Sequence, residues 1–170
     1  MMPTTHQSLC IFLLALLANL GFSQDTAQDQ STAPTELAWV TPKVAGPRVS
    51  FETFDSKLVG SKVSYHIYKP AAYDSDPASR FPVVYWLHGS GGGLPGIPRV
   101  AGLFDAAIQA GKTPPCLVVF VNGLREGMYV DWKDGSAPIE SMMIKELIPH
   151  IDTKYRTLAK REARLLDGYS

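Results

Sequence analysis

The sequence has few cysteines, no excess of charge of either sign and no apolar run long enough to cross a bilayer. Its two cysteines, Cys10 and Cys116, stand far apart, and no Cys/His cluster is present, so neither a disulfide framework nor a metal site is predicted. Lys plus Arg and Asp plus Glu both number 16, which leaves no basic field for nucleic acid. The main apolar run, Leu9–Leu20, is shorter than the roughly 20 residues of a membrane-spanning helix.

The chain contains enough apolar residues to form one folded domain. Apolar residues make up 45% of the chain and charged residues 19%, proportions that are typical of a globular protein and not of a disordered one. A chain of 170 residues can bury a hydrophobic core of its own. We therefore expect a globular domain that needs no crosslink to fold.

The N-terminal region indicates export. The apolar run Leu9–Leu20 is followed by small residues at Gly21 and Ser23 and then by polar sequence, the pattern of a secretory signal peptide that is cleaved after about Ser23. A retained membrane anchor is the alternative, and the shortness of the run favours cleavage. We predict a signal peptide over residues 1–23 and a secreted or periplasmic protein, without stable membrane association after cleavage. Residues 24–46, rich in Gln, Thr, Ala, Asp and Pro, predict a flexible linker.

The rest of the chain, residues 47–170, alternates strand and helix patterns. Two segments with polar and apolar residues in alternation, Val49–Val59 and Val63–Ile67, predict an antiparallel pair of strands. Apolar strand segments and amphipathic helices then follow one another: Phe81–Leu87, Pro98–Ala110, Cys116–Val121, Pro138–Ile151 and Ala163–Leu166. Unbroken apolar strands separated by helices predict parallel strands with crossover helices, which is an α/β fold. Pro149 predicts that the second helix ends or kinks near its last turn.

A glycine-rich loop, His88–Gly93, directly follows the first of these apolar strands. Glycines let backbone N–H groups point to one centre, where they can hold a phosphate or a developing oxyanion. Phosphate binding needs a lysine or a glycine pattern that opens a helix, and neither is present, so no nucleotide cofactor is predicted. A merely flexible loop is the other alternative. A His-Gly-x-Gly-Gly loop after a buried strand favours the oxyanion role.

The segment Gly168-Tyr169-Ser170 follows the last apolar strand. A serine two residues after a glycine is the first part of G-x-S-x-G, the strand-to-helix turn that exposes a nucleophilic serine. An ordinary loop serine is the alternative. Ligands of a parallel sheet bind at the carboxyl ends of its strands, and both Ser170 and the His88–Gly93 loop are predicted at such ends. The two segments are therefore expected to converge.

Four segments carry a resemblance to a known family. They are Tyr65–Pro70, Phe81–Gly89, Glu146–Asp152 and Gly168–Ser170. In order and spacing they resemble the esterase family of α/β-hydrolases that includes feruloyl and acetyl-xylan esterases, enterochelin esterases, S-formylglutathione hydrolases and mycolyltransferases. The resemblance covers the chain from about Val49 onward and implies a serine esterase with the N-terminal part of an α/β-hydrolase fold.

The resemblance also implies a role for each residue of the candidate site. Ser170 would be the catalytic nucleophile that attacks an ester carbonyl. The backbone N–H groups of Ser90 and Gly91 would form one half of an oxyanion hole, in a loop supported by His88 and Gly89, and the residue after Ser170 would supply the other half. In this fold the triad acid and histidine follow the serine in chain order. The chain is therefore expected to be a fragment cut at the nucleophile and inactive alone.

The implied substrates are carboxylic esters, small-molecule or polysaccharide, such as acyl groups on carbohydrates. Neither a metal nor another cofactor is implied, and no oligomeric state is predicted. Two alternatives stay open: a non-catalytic binding module of the same fold, and an acyltransferase in which a sugar hydroxyl replaces water. A downstream acid and histidine would distinguish an enzyme from a binding module, whereas nothing in the sequence separates hydrolysis from acyl transfer.

Three side chains have more than one interpretation. Trp132 lies in an irregular segment after the Asn122-Gly123 turn and is a candidate substrate contact, although the pattern favours an aromatic packed in the core. His66 alternates away from the apolar face of its strand, so it is expected in solvent. His150 is likewise expected at the surface or at a helix cap.

Overall fold

The computed structural model describes residues 36–170, which form a mixed five-stranded sheet with the order β1-β2-β4-β3-β5. The strands are β1 (Val49–Ser56), β2 (Ser61–Tyr68), β3 (Val83–Leu87), β4 (Leu117–Val121) and β5 (Arg164–Gly168). The helices are α1 (Ala71–Ser75), α2 (Ile97–Gln109), α3 (Ile139–Met142) and α4 (Ile148–Lys154), with a π-helical turn (Met143–Leu147) between α3 and α4. Short 3-10 turns precede α2 (Leu94–Gly96) and β5 (Arg161–Ala163).

The pairing of the strands confirms the predicted α/β architecture. β1 and β2 are antiparallel along their whole lengths, with Val49 opposite Tyr68, and β2 is also antiparallel to β4. β3 lies parallel to β4 and to β5. The crossover helix α2 connects β3 to β4, and the helical segment from α3 to α4 precedes β5. The carboxyl ends of β3, β4 and β5 therefore share one edge of the sheet.

Both faces of the sheet are covered, which explains the unbroken apolar character of the central strands. In β4, Leu117, Val119 and Val121 belong to the core beneath α3 and α4. The alternate residues Val118 and Phe120 belong to a second core that includes residues of α2. β5 differs from the central strands, because among the described residues it pairs on one side only and its leucines, Leu165 and Leu166, are 56% and 63% exposed.

The helical segment after β4 continues through Pro149. Pro149 lies in the first turn of α4, and that helix extends to Lys154, so the proline does not end the helix, which was one of its two predicted effects. Proline lacks the N–H that would bond to the carbonyl four residues earlier. The wider π turn over Met143–Leu147 lies directly before it, and such turns accommodate a break in the regular ladder.

The start of the described chain is packed onto the domain. Trp39 is 8% exposed and belongs to the main core, and its carbonyl accepts hydrogen bonds from Ser64 N (2.8 Å) and Asn122 Nδ2 (2.8 Å). Val44 N donates to His66 Nε2 at 3.0 Å. The predicted flexible linker over residues 24–46 is therefore corrected from Trp39 onward, because a buried tryptophan and satisfied backbone groups tie this segment down.

The predicted signal peptide, residues 1–23, and the first part of the predicted linker lie outside the described residues. Within the part of the chain that the structure covers, no helix combines the length and apolarity that a membrane span requires. Cys116 is buried at the start of β4, and burial raises the pKa of its thiol to about 11. Its position fits the role of a small core residue.

His66, which was expected in solvent, and His150, which was expected at the surface or at a helix cap, both pack against other side chains. His66 is 2% exposed, lies edge-on to Phe51 and accepts the Val44 N–H through Nε2. His150 is half-buried, stacks on Phe54 with 5.1 Å between ring centroids and lies 3.0 Å from Tyr65 Oη. The alternation of β2 correctly placed His66 on the face opposite Val63, Tyr65 and Ile67. That face is covered by the segment around Val44, and alternation within one strand cannot reveal such a cover.

Because of these two histidines, we expect the free energy of unfolding to fall in weak acid. Burial lowers the pKa of both His66 and His150, so below about pH 6.5, the ordinary histidine pKa, the unfolded chain binds more protons than the folded one. The stabilisation that depends on neutral histidines should therefore be complete above pH 6.5 and should be lost as the pH drops. The loss is up to about 1.4 kcal/mol per pH unit for the buried His66 and smaller for the half-buried His150, whose charge is partly screened by solvent. Urea unfolding at pH 7.5, 6.0 and 5.0 measures this slope.

The variant His66→Gln separates the contribution of His66 from that of other groups. Glutamine retains a side-chain acceptor for the Val44 N–H but does not titrate, so the slope between pH 6.5 and 5.0 should become smaller. A slope identical to that of the wild type would contradict the assignment to His66.

Candidate active site

The loop after β3 and the turn after β5 leave the sheet side by side. In the parallel pairing of these strands Leu87 lies opposite Gly168, and Tyr169 N continues the ladder by donating to Leu87 O at 3.1 Å. The His88–Gly93 loop and Ser170 therefore begin from adjacent positions at the carboxyl edge of the sheet, which is where ligands of parallel sheets bind.

Gly89 is in direct contact with Ser170. A Cβ atom placed on Gly89 would lie 2.6 Å from Ser170 Cβ and 2.9 Å from Tyr169 O, distances at which no side chain fits. The structure thus brings together the two segments that the sequence predicted to converge. Only a glycine lets the backbone of the first loop approach the serine this closely.

The backbone at Ser170 has a left-handed conformation. Ser170 has a φ of 99°, a value that residues with a Cβ rarely adopt and that is found mainly at functional sites. A Cβ atom at Gly168 would lie 2.4 Å from Leu87 O, so the turn also needs the glycine two positions earlier. Both features are typical of the strand-to-helix corner that presents a catalytic serine.

Ser170 lines a cleft of about 500 Å³. The walls come from the ends of β3 and β5 and from the loop after β4, and they consist of Leu87, His88, Gly89, Ser90, Leu124, Arg125, Glu126, Gly127, Met128, Tyr129, Leu166, Asp167, Gly168, Tyr169 and Ser170. Four of the predicted site residues, His88, Gly89, Ser90 and Ser170, therefore share one cavity. Trp132 is not among the residues of the wall and instead packs, partly buried, against the main core.

The two predicted oxyanion donors differ in what their N–H groups contact. Gly91 N donates to Arg125 O at 3.1 Å, so this group is engaged within the protein and is not free for a substrate. Ser90 N has no acceptor among residues 36–170, and Ser90 belongs to the wall of the cleft. The geometry thus retains Ser90 as a donor and argues against Gly91.

The His88 side chain is turned toward its own loop. His88 Nδ1 lies 2.7 Å from Gly89 O, and a Cβ at Gly93 would lie 2.2 Å from His88 Cβ. In the described part of the chain neither a histidine nor a carboxylate forms a hydrogen bond with Ser170 Oγ. This agrees with a supporting role for His88 in the loop and not with a role as the base of Ser170.

The loop after β4 contributes to the cleft in a way that sequence reasoning missed. Leu124, Met128 and Tyr129 have φ values of 59°, 54° and 54°, and Met128 is 78% exposed in the wall. Consecutive left-handed residues with side chains are strained and cluster near functional sites. The Asn122-Gly123 turn was the only signal in the sequence for this loop, and it did not reveal these conformations.

Comparisons with known proteins find relatives among esterases. The curated endo-1,4-beta-xylanase/feruloyl esterase of Xylanibacter ruminicola is 32% identical over 130 residues, which span 69% of this chain and 17% of that protein. A solved ferulic acid esterase superposes with a TM-score of 0.64 at 25% identity, covering 71% of this chain and 48% of that one. A ferulic acid esterase of the anaerobic fungus Anaeromyces mucronatus gives 0.59 at 20% identity, covering 81% and 55%.

The chain spans about half the length of these solved structures and a smaller share of the curated relative. The family model described as "Putative esterase" matches residues 56–170, which is more than half of the chain and includes every part of the cleft. On this match, the chain belongs to that esterase family of α/β-hydrolases.

Proposed function

We propose that the chain carries the nucleophile and part of the oxyanion hole of a serine esterase that hydrolyses carboxylic esters. The observation that carries the proposal is the contact between Gly89 and Ser170. Ser90 follows Gly89 directly, and its N–H has no acceptor among residues 36–170, so a free backbone donor lies close to the serine. Ser170 is the nucleophile, and Ser90 N–H is the donor to the developing oxyanion.

The chemistry follows the two-step course of acyl transfer through serine. Ser170 Oγ bonds to the ester carbonyl carbon, its proton passes to a histidine base, and the carbonyl electrons move onto oxygen, where Ser90 N–H stabilises them. Collapse of this intermediate breaks the ester C–O bond, and the departing alkoxide takes the proton from the histidine. Water then repeats the sequence on the acyl-enzyme, which releases the acid and restores Ser170.

None of the histidines in the described part of the chain is placed to act as the base of Ser170. His66 and His150 are engaged elsewhere, and His88 is turned to Gly89 O. The family resemblance implies that the histidine and the triad acid follow Ser170 in chain order.

The 170-residue polypeptide alone is therefore expected to show no useful ester turnover. A serine hydroxyl without its base is a poor nucleophile, and loss of a triad member in a related serine enzyme costs about a million-fold in kcat. Release of nitrophenol from nitrophenyl acetate by the purified polypeptide measures this. Turnover that the variant Ser170→Ala abolishes in the same polypeptide would contradict the prediction.

The proposed substrates are acyl esters of carbohydrates, with an aromatic acyl group. Two solved relatives support this class: the Anaeromyces mucronatus esterase in complex with ferulic acid, and the feruloyl esterase module of Clostridium thermocellum complexed with sinapinate. In this chain the wall of the cleft beside Ser170 includes the apolar side chains of Leu124, Met128 and Leu166, which suit an aromatic ring. Because residues 1–23 are predicted to be a signal peptide, we also propose that the protein acts outside the cytoplasm.

The test of this function uses the product of the complete coding region. Acid release is followed by chromatography with methyl ferulate, methyl sinapate and nitrophenyl acetate as substrates. The proposal expects turnover of all three and a larger kcat/KM for the aromatic esters. An absence of hydrolysis for every ester would overturn it, and a preference for the acetate would overturn the aromatic class alone.

A further inference from the structure

Tyr129 connects the loop after β4 to the loop that touches Ser170. Its hydroxyl oxygen accepts a hydrogen bond from His88 N at 2.7 Å, and its ring lies edge-on to the His88 imidazole with 5.5 Å between centroids. His88 is the first residue after β3, so the bond replaces the sheet ladder at the point where the strand ends. Tyr129 therefore fixes the direction in which the glycine-rich loop leaves the sheet.

The ring of Tyr129 is itself held from the opposite side. A Cβ atom on Gly123 would lie 2.3 Å from Tyr129 Cε1, so only glycine leaves room for the ring at this place. Tyr129 and the preceding Met128 both have a φ of 54°, a conformation that is costly for residues with a Cβ. Burial raises the pKa of the Tyr129 phenol, so the hydroxyl stays neutral at physiological pH.

A second bond ties the same two loops together. Gly91 N donates to Arg125 O at 3.1 Å, three residues beyond the His88 bond in one loop and four residues before Tyr129 in the other. Between these two ties lie Gly89, which touches Ser170, and Ser90. The backbone that faces the serine is thus held at both of its ends by the loop after β4.

We propose that Tyr129 is a positioning residue for ester hydrolysis: its hydroxyl holds the His88 amide so that Ser90 N–H is aimed at the oxyanion beside Ser170. This inference rests on the proposed function. Tyr129 acts through the backbone of His88 and touches none of the reacting atoms. A displacement of about 1 Å in such a site can cost about a hundredfold in rate, so a single hydroxyl can control turnover without taking part in the reaction.

Two variants test the proposal. Tyr129→Phe removes the hydroxyl and retains the ring, so the contacts with Gly123 and the His88 imidazole persist. Tyr155→Phe is the matched control, because the Tyr155 hydroxyl also forms a hydrogen bond within the protein, 3.2 Å from Tyr65 Oη, whereas the residue has no place in the wall of the cleft. Both variants lose one hydrogen bond of a phenol hydroxyl.

Two measurements are made on each variant. In the 170-residue chain, hydrogen exchange of the His88 amide should be at least about tenfold faster in Tyr129→Phe, since a lost hydrogen bond lowers the free energy of local opening, and unchanged in Tyr155→Phe. In the product of the complete coding region, kcat for methyl ferulate should fall by about tenfold to a hundredfold in Tyr129→Phe. KM should change little, and Tyr155→Phe should keep the wild-type kcat.

The outcomes separate this inference from the function on which it rests. Wild-type kcat in Tyr129→Phe, with turnover that still requires Ser170, would overturn the positioning role and leave the esterase intact. An equal loss of kcat in Tyr155→Phe would also overturn it, since the effect would then be one of general stability. Turnover that survives Ser170→Ala would overturn the proposed function itself.

Discussion

The variant Ser170→Ala is expected to lower kcat for ester hydrolysis by about a million-fold in the product of the complete coding region, the loss seen when the nucleophile of a related serine enzyme is removed. The physical reason is that alanine has no hydroxyl with which to form the acyl-enzyme. The remaining backbone donors would still bind and polarise the ester, so a small rate above that of water should persist. Acid release from methyl ferulate measures both values.

The control for this variant is Ser61→Ala. Ser61 lies at the start of β2, is exposed, and bonds only to a neighbouring carbonyl, so its loss should leave kcat and KM unchanged. A Ser170→Ala protein that folds normally and keeps more than about one hundredth of the wild-type kcat would be inconsistent with a nucleophile whose loss costs about a million-fold.

The second large effect is expected for Gly89→Ala. The added methyl group would overlap Ser170 Cβ and Tyr169 O, and because the latter is a backbone atom the overlap can be relieved only by moving the two loops apart. Separation of the loops displaces Ser90 N–H from the oxyanion. We expect kcat/KM for methyl ferulate to fall by about a hundredfold or more, with a smaller effect on the melting temperature.

Gly102→Ala is the matched glycine control. Gly102 lies within α2 and a Cβ there would meet nothing within 4 Å. Alanine at this position should stabilise the fold by roughly 0.5–1 kcal/mol, because glycine is unfavourable inside a helix, and should leave turnover unchanged. Equal turnover in Gly89→Ala and the wild type would show that the contact with Ser170 has no part in catalysis.

Much of the fold could be predicted because the relevant signals are local. The alternation in β1 and β2 and the unbroken apolar character of β3 and β4 reflect how many faces of each strand are buried. The convergence of the His88–Gly93 loop with Ser170 followed from the rule that parallel strands present their carboxyl ends at one edge. Both inferences depend on periodicity and strand direction, which a sequence displays.

The remaining features depend on contacts between distant segments. Trp39 was placed in a linker because residues 24–46 are rich in Gln, Thr, Ala, Asp and Pro, yet it fits a site in the main core between β2 and the loop after β4. The hydrogen bond from Gly91 N to Arg125 O engages a predicted oxyanion donor, and no local sequence pattern predicts this bond. Tyr129 was missed for the same reason, since its role depends on a left-handed backbone and on the space left by Gly123.

Covalent labelling tests whether Ser170 is the nucleophile of an esterase site. The product of the complete coding region is treated with a fluorophosphonate, which reacts with activated serines, and the modified peptide is identified by mass spectrometry. We expect a single label on Ser170 and loss of ester turnover in proportion to labelling. A label on another residue with Ser170 unmodified, or a coding region that ends at the Ser170 codon, would contradict it.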